Sequence, residues 1–357
     1  MRAWAVVETG APLQALDMPT PEPQGAEVLV EVTHCGVCHS DLHIWEGGYD
    51  LGSRGKLSLQ DRGVVLPLAM GHEIVGRVAA MGPDARGVAL GEAKVVFPWI
   101  GCGQCERCQS GEDNMCPNAA RTLGIYRNGG YATHVLVPDA KYLVPVDGVE
   151  PAVAATYACS GITVHSAIKK LGTLPPDRPV VLVGAGGLGL NAIHMLKALG
   201  HRRIVSVDVS AEKLEAARAA GATDTVLAQG SDGTEVTKAI VAACSGPAMA
   251  VIDLVNGSAT ARFAFDALGK GGKLVQVGLF GGEMSLPLPL MAIRALTIQG
   301  SYVGSLDDLN AVMALAKEGK LAALPVTTEP MEKANAVLER LRDGKVTGRV
   351  VLRAEAA

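Results

Sequence analysis

Short apolar runs and helix-period stretches divide this chain into two regions. The first opens with the strand-like run Arg2-Ala3-Trp4-Ala5-Val6-Val7, and from Leu13 to Tyr142 it continues as short β-like runs broken by glycine and proline. That pattern predicts a mainly β lobe. From Pro179 onwards the rhythm changes. Pro179-Val180-Val181-Leu182-Val183 reads as a short buried strand, and a second strand, Arg203 to Val207, ends at Asp208. A helix over 211–220, a strand at 225–227, a helix at 236–243 and a strand at 250–254 follow, then a helix over 260–268 and a strand at 273–278. Strands alternating with helices predict an α/β unit with a doubly wound parallel sheet. Beyond Gly300 the pattern gives helices over 305–318 and 331–342, closed by Gly344, and a strand at 348–352. No internal repeat or low-complexity segment interrupts this organisation.

The longest apolar stretch, Pro179 to Gly200, has the length of a membrane span, but glycines at 184, 186, 187 and 189, then His194 and Lys197, argue against one. They spell Gly184-x-Gly186-x-x-Gly189, placed where a strand turns into a helix near Leu188. Gly187 lies within the same turn. In that context the glycines let the backbone approach a pyrophosphate at a helix N-terminus, and the acidic Asp208 suits a ribose hydroxyl. Asp208 would repel a 2′-phosphate, so NAD is expected over NADP, with Arg202 and Arg203 weakening that preference only slightly.

Length and composition fit two domains: the 357 residues are 48% hydrophobic, and the net charge of −4 leaves no basic footprint for nucleic acid or an anionic membrane. The N-terminus lacks the charged-then-apolar pattern of a secretory signal, so the cytoplasm is the expected compartment. Eight cysteines in a chain of this size read as metal or redox chemistry rather than a disulfide scaffold. Cys102-x-x-Cys105-x-x-Cys108 followed by Cys116 offers four thiolates, a closed tetrahedron suited to a structural zinc. A disulfide or redox sensor is the alternative; an iron–sulfur cluster is another, although the C-x-x-C-x-x-C-x₃-C-P run is absent. Cys38, His72 and Cys159 form a second candidate set, whose two sulfurs and one imidazole leave a tetrahedral position free, as a catalytic zinc requires. Cys35 and Cys244 remain as packing residues.

The stretches Cys35-Gly36-Val37-Cys38-His39-Ser40-Asp41, Gly71-His72-Glu73, Pro98-Trp99, Cys159-Ser160-Gly161-Ile162-Thr163, Ile252-Asp253-Leu254, Val277 to Gly281 and Gly300 to Gly304 resemble the medium-chain, zinc-dependent alcohol dehydrogenases. The resemblance spans essentially the whole chain and is nearest to the tetrameric archaeal and bacterial NAD-dependent type. It implies a GroES-like catalytic domain over 1–155 and 297–357, with the structural zinc lobe near 98–118, and a Rossmann domain over 156–296. It also implies two zinc ions, a catalytic one at Cys38, His72 and Cys159 and a structural one at Cys102, Cys105, Cys108 and Cys116.

Ser40 and His43 match that family's proton relay. Asp41 would orient His72, and Glu73 would act as a nearby base or occasional ligand. For NAD, the implied contacts beyond Gly184, Gly186, Gly187, Leu188, Gly189 and Asp208 are Lys213 near the adenosine ribose, Arg349 and His39 at the pyrophosphate, Thr163, Val277 and Leu279 by the nicotinamide, and Asn256. Trp45, Trp99 and Tyr302 are expected to wall an apolar pocket for bulky or aryl alcohols.

The polar segment 49–66 departs from the family and reads as a substrate entrance, a subunit contact or a solvated loop. A zinc-independent quinone or enone reductase of the same architecture would lack these metal ligands. The remaining alternatives are a dehydrogenase for a polyol, hydroxy acid or hydroxyacyl-CoA, and a non-catalytic zinc- or nucleotide-binding protein. The partners expected are a small alcohol and further copies of the chain, a tetramer by resemblance or a dimer through an exposed strand.

Overall fold

Six parallel strands follow one another across the α/β unit in the order Asp224–Leu227, Ile204–Asp208, Val180–Val183, Ala248–Asp253, Leu268–Gln276, Thr297–Gly300. The chain, described over residues 1–118, 121–230 and 232–354, is seen in a computed structural model. Strand order reverses between Val180–Val183 and Ala248–Asp253, and there the carboxyl ends of the strands open a crevice, the usual ligand position of such sheets. All four residues of Val180–Val183 are buried because helices cover both faces. Val180 and Leu182 join the core shared with the β lobe, whereas Val181 and Val183 join a separate core on the opposite face.

The expected strands and helices from 180 to 276 appear within a few residues of their predicted bounds. The sequence reading ends the parallel unit at 296, yet Thr297–Gly300 pairs in parallel with Leu268–Gln276, so the sheet runs on to Gly300. That strand is four residues long and largely exposed, which leaves no hydrophobic period to read.

In the β lobe, Val28–Gly36 is the central strand of a seven-stranded sheet, flanked by Glu73–Met81, His134–Val137 and Arg349–Arg353. The C-terminal strand therefore returns to the first lobe and sets Leu352 opposite Cys35. Helix Pro151–Thr156, a π-helical turn Tyr157–Gly161 and helix Ile162–Leu171 link the two sheets. Residues 49–66 are more ordered than a solvated loop: Gly48–Asp50 and Lys56–Ser58 form a hairpin, and Gly282 N donates to Asp50 O across to the α/β unit at 3.2 Å. Among the described residues no helix is long and apolar enough to cross a membrane.

Candidate active site

Three separate pieces of backbone bring Cys38, His72 and Cys159 together. Cys38 caps helix His39–Trp45, and its amide donates to Asp41 Oδ2 at 2.8 Å. His72 follows Gly71, whose φ of +88° and close approach to the Tyr131 ring and Cys35 sulfur exclude any side chain at that position. Cys159 lies in the π-helical turn, a departure from α geometry that recurs at functional sites. Trp99 Nε1 donates to Ala158 O at 2.9 Å, and Ser160 Oγ donates to Thr156 O at 2.9 Å, so carbonyls in and just before this irregular turn are satisfied. Asn191 Nδ2 then donates to Ser160 Oγ at 3.0 Å and ties the turn to the helix after the glycines.

The three ligand atoms lie within 4.8 Å of one another and are buried. Cys38 and Cys159 Sγ stand 3.9 Å apart, close to the ~3.8 Å that tetrahedral geometry with 2.3 Å zinc–sulfur bonds gives. His72 Nδ1 approaches Asp41 Oδ1 at 3.3 Å, while its Nε2, fully buried, has no protein partner. An imidazole steered by a carboxylate on one nitrogen and left bare on the other is arranged as a metal ligand. The hydrogen bond between the sulfurs draws Cys38 well below the ordinary thiol range and holds Cys159 well above it. The donor set fits zinc with one open position.

The second cluster also fits. Cys102, Cys105, Cys108 and Cys116 gather their sulfurs within 4.8 Å, with Cys105 Sγ 3.5 Å from Cys108 Sγ and 3.8 Å from Cys116 Sγ. Backbone amides of Gln104 and Cys105 and the Asn118 amide point at Cys102 Sγ, and these donors lower that thiol to about 6. Donors aimed at sulfur favour thiolates, as a four-sulfur metal site needs.

Opposite the first cluster stands the glycine turn, across a cleft of about 430 Å³. A Cβ on Gly189 would lie 2.1 Å from Gly184 O, so helix and strand pack only with glycine here, whereas a Cβ on Gly186 would meet nothing within 4 Å. The backbone is thus bare where a phosphate would approach the start of helix Gly187–Ala198. Asp208 accepts from Ala185 N at 2.7 Å and Ser210 N at 2.9 Å, which fixes its carboxylate at the strand end facing the cleft.

Comparison with known proteins agrees with this geometry. Residues 24–148 match the alcohol dehydrogenase GroES-like domain family and residues 187–318 the zinc-binding dehydrogenase family. An NAD-dependent alcohol dehydrogenase of Sulfurisphaera tokodaii is 39% identical over 354 residues, 99% of each chain. The chain belongs to the zinc-binding alcohol dehydrogenases. The alcohol dehydrogenase of Aeropyrum pernix superposes with a TM-score of 0.89 at 30% identity over 99% of this dehydrogenase and 100% of that chain. An acetophenone reductase of Geotrichum candidum, solved with NAD, gives 0.84 at 28% identity over 99% and 96% of the chains.

Most of the expected site residues line the dehydrogenase's cleft: Ser40, His43, His39, Thr163, Leu188, Lys213, Val277, Leu279, Trp99 and Tyr302. Ser40 Oγ lies 3.8 Å from Cys38 Sγ. Asp41 and Glu73 are fully buried behind the ligands. Three expectations need correction. Trp45 does not wall the cleft. It lies two residues past His43, on another face of the helix from the pair Ser40 and His43, and it is buried with Nε1 donating to Ala11 O at 2.6 Å. Asn256 is drawn away from the cofactor cleft by a left-handed backbone, φ +56°, and spends its side-chain amide on Gly278 O at 3.0 Å. Arg349 lines the cleft beside Gly187, but its guanidinium turns inward to pair with Glu73. Burial raises the Glu73 carboxyl, and Arg349 opposes that rise.

The cleft also holds residues that the sequence reading left unassigned. Ser301 is buried with its hydroxyl unpartnered, Tyr49 comes from the polar segment 49–66, and Arg342 lies 5.7 Å over the Trp45 ring. Tyr49 and Arg342 carry no spacing signal; Ser301 sits inside the Gly300-to-Gly304 stretch and was legible only as part of it.

Proposed function

We propose that this dehydrogenase transfers hydride between an alcohol and NAD, with zinc at Cys38, His72 and Cys159 for catalysis and at Cys102, Cys105, Cys108 and Cys116 for structure. The observation that carries the reading is that the three-donor set and the bare glycine turn face each other across one cleft. When bound, the metal supplies Lewis acidity toward a substrate oxygen and the nicotinamide accepts hydride. The protein supplies alignment and a proton path. Asp41 holds the His72 ring. Ser40 takes the hydroxyl proton beside Cys38 and hands it outward, and His43, at the cleft wall, receives it.

His43 works as a neutral acceptor, because burial, reinforced by His39, lowers it to about 4. Gly184, Gly186, Gly187, Leu188 and Gly189 seat the pyrophosphate, Asp208 and Lys213 the adenosine ribose, His39 borders the phosphates, and Thr163, Val277 and Leu279 hold the nicotinamide. Trp99 and Tyr302, with ring centroids 5.7 Å apart, wall a pocket suited to bulky or aryl alcohols. The acetophenone reductase, which its name ties to an aryl ketone, supports that preference.

The eight free thiols suit a reducing cytoplasm. The outer edge of strand Thr297–Gly300 and the exposed Leu288 and Ile293 of helix Leu288–Ile293 suit pairing with a second copy, within a dimer or tetramer.

The test is the initial rate of NAD reduction by zinc-loaded protein across ethanol, secondary, cyclic and benzylic alcohols, with NADP in parallel. Rates that rise toward benzylic alcohols and favour NAD support the proposal. No turnover on any alcohol, with zinc shown to be bound, overturns it.

A further inference from the structure

Beside the catalytic cleft lies a second chamber of about 560 Å³. One wall comes from residues 49–62 of the polar segment and the other from residues 256–284 of the α/β unit. Five residues belong to the linings of both spaces: Tyr49, Ile125, Gly278, Leu279 and Tyr302. From the metal set the way outward runs along rings, with His72 to Trp99 at 5.4 Å and Trp99 to Tyr302 at 5.7 Å. A substrate held by its hydroxyl at the metal set therefore extends its far end past Tyr302 into the chamber.

The chamber's polar groups are unspent. Tyr131 and Tyr142 elsewhere give their hydroxyls to Asp41 and Asp113. Among the described residues the hydroxyls of Tyr49, Tyr126 and Tyr302, all lining the chamber, have no protein partner, and neither does the Arg62 guanidinium. Arg62 lies near enough to Tyr49 and Tyr302 for its charge to act on both hydroxyls. It is the one cation in the lining. Two carboxylates also line the chamber and keep their charge, both tied to the Gly52–Ser53 turn: Asp50 Oδ1 accepts from Gly52 N at 2.9 Å and Glu283 Oε2 from Ser53 Oγ at 2.6 Å. The turn that carries Arg62 is fixed by its own amide on Leu59 O at 3.1 Å and by Leu59 N on Gly47 O at 3.1 Å. An exposed guanidinium on a fixed turn, with phenol donors lining the same chamber, can pair with a planar oxyanion.

We propose that the chamber recognises a carboxylate at the far end of the substrate, so that the alcohols this enzyme favours are hydroxymethyl-aryl carboxylates and ω-hydroxy acids, with Arg62 as the specificity-determining residue. The proposal rests on the dehydrogenase reading above. The reaction is unchanged: the carbinol carbon gives hydride to NAD, its hydroxyl proton leaves through Ser40, and the carboxylate is a spectator.

The experiment measures kcat/KM with NAD for benzyl alcohol, 4-(hydroxymethyl)benzoate and 4-(hydroxymethyl)benzamide, and for ω-hydroxy acids of six to twelve carbons against the matching 1-alkanols. In the unsubstituted enzyme the carboxylate is favoured over its neutral partner by about 3- to 5-fold at the best length, chiefly through KM, as one solvent-exposed ion pair gives. Arg62→Gln collapses that carboxylate-to-neutral ratio towards unity, and Arg62→Lys restores part of it. Because the readout is a ratio within one variant, loss of folded protein does not imitate it. Turnover of neutral alcohols with no carboxylate preference at any length, or a ratio untouched by Arg62→Gln, overturns the proposal while leaving the dehydrogenase reading intact. No turnover of any substrate overturns the dehydrogenase reading itself.

Discussion

His43 shows how burial decides what a residue can do. Its ordinary imidazole would titrate near 6.5, but desolvation first, and His39 second, lower it to about 4. The ring is therefore neutral wherever the enzyme would work, and it accepts a proton only in passing. His43→Asn is expected to slow alcohol oxidation by roughly 10²-fold, the lower range for loss of a positioned acid–base group. The unsubstituted enzyme should show no inflection near 6.5 assignable to this residue in a pH profile of kcat/KM. The same shift bears on stability. Between about 6.5 and 4 the unfolded chain binds a proton that the folded chain refuses, so stability is whole above 6.5 and falls as pH drops through that window. Denaturant titrations of His43→Asn and the unsubstituted protein should converge as pH falls from 7 to 4. The donor types at Cys38, His72 and Cys159 were legible in the sequence, since only a few residue types hold zinc. The face on which Trp45 lies, the left-handed turn at Asn256 and the pairing of Arg349 with Glu73 were not, because each depends on a tertiary neighbour.

Among the elements, the π-helical turn at Tyr157–Gly161 owes its setting to its neighbours. Helix Ile162–Leu171 continues from it, and Asp308 at the start of helix Leu306–Lys317 clamps that helix through His165 Nδ1 and Lys169 Nζ, both 2.8 Å from Oδ1. Oδ2 meanwhile accepts from Ser305 N at 2.9 Å and Ser305 Oγ at 3.1 Å. Burial alone would raise the Asp308 carboxyl, but the bonds from His165 and Lys169 hold it well below its usual range. A folded-state value below the unfolded one contributes stability above about pH 4 that is lost as pH falls further. Asp308→Asn should cost about 2 kcal/mol at neutral pH, by the worth of charged hydrogen bonds, and the gap to the unsubstituted protein in urea titrations should narrow below pH 4. The sequence announced the helices on either side of this clamp through their apolar period. It did not announce the clamp, nor the strand Thr297–Gly300, which has too few buried positions to leave a pattern.

Across the whole molecule the cysteine lobe and the substrate wall are joined. Asn114, two residues before Cys116, donates its side-chain amide to Tyr302 O at 3.1 Å, and Tyr302 borders both the cleft and the outer chamber. Tyr142 OH, donating to the buried Asp113 at 2.7 Å, anchors the same turn to the β lobe. A metal that holds Cys116 therefore also holds the position of an aromatic wall built from a different part of the chain. Loss of one sulfur by Cys105→Ser should lower Tm by roughly 10 °C, the scale of a few kcal/mol in a domain of this size. The link to the wall is tested separately by Asn114→Ala, which leaves all four cysteines in place. Its zinc content, read by elemental analysis, should stay at two ions per chain, while KM for benzylic alcohols rises about threefold, the loss of one ordinary hydrogen bond, and KM for ethanol, which does not reach Tyr302, holds. An equal rise for both alcohols would mean that the lobe supports the fold without positioning the wall.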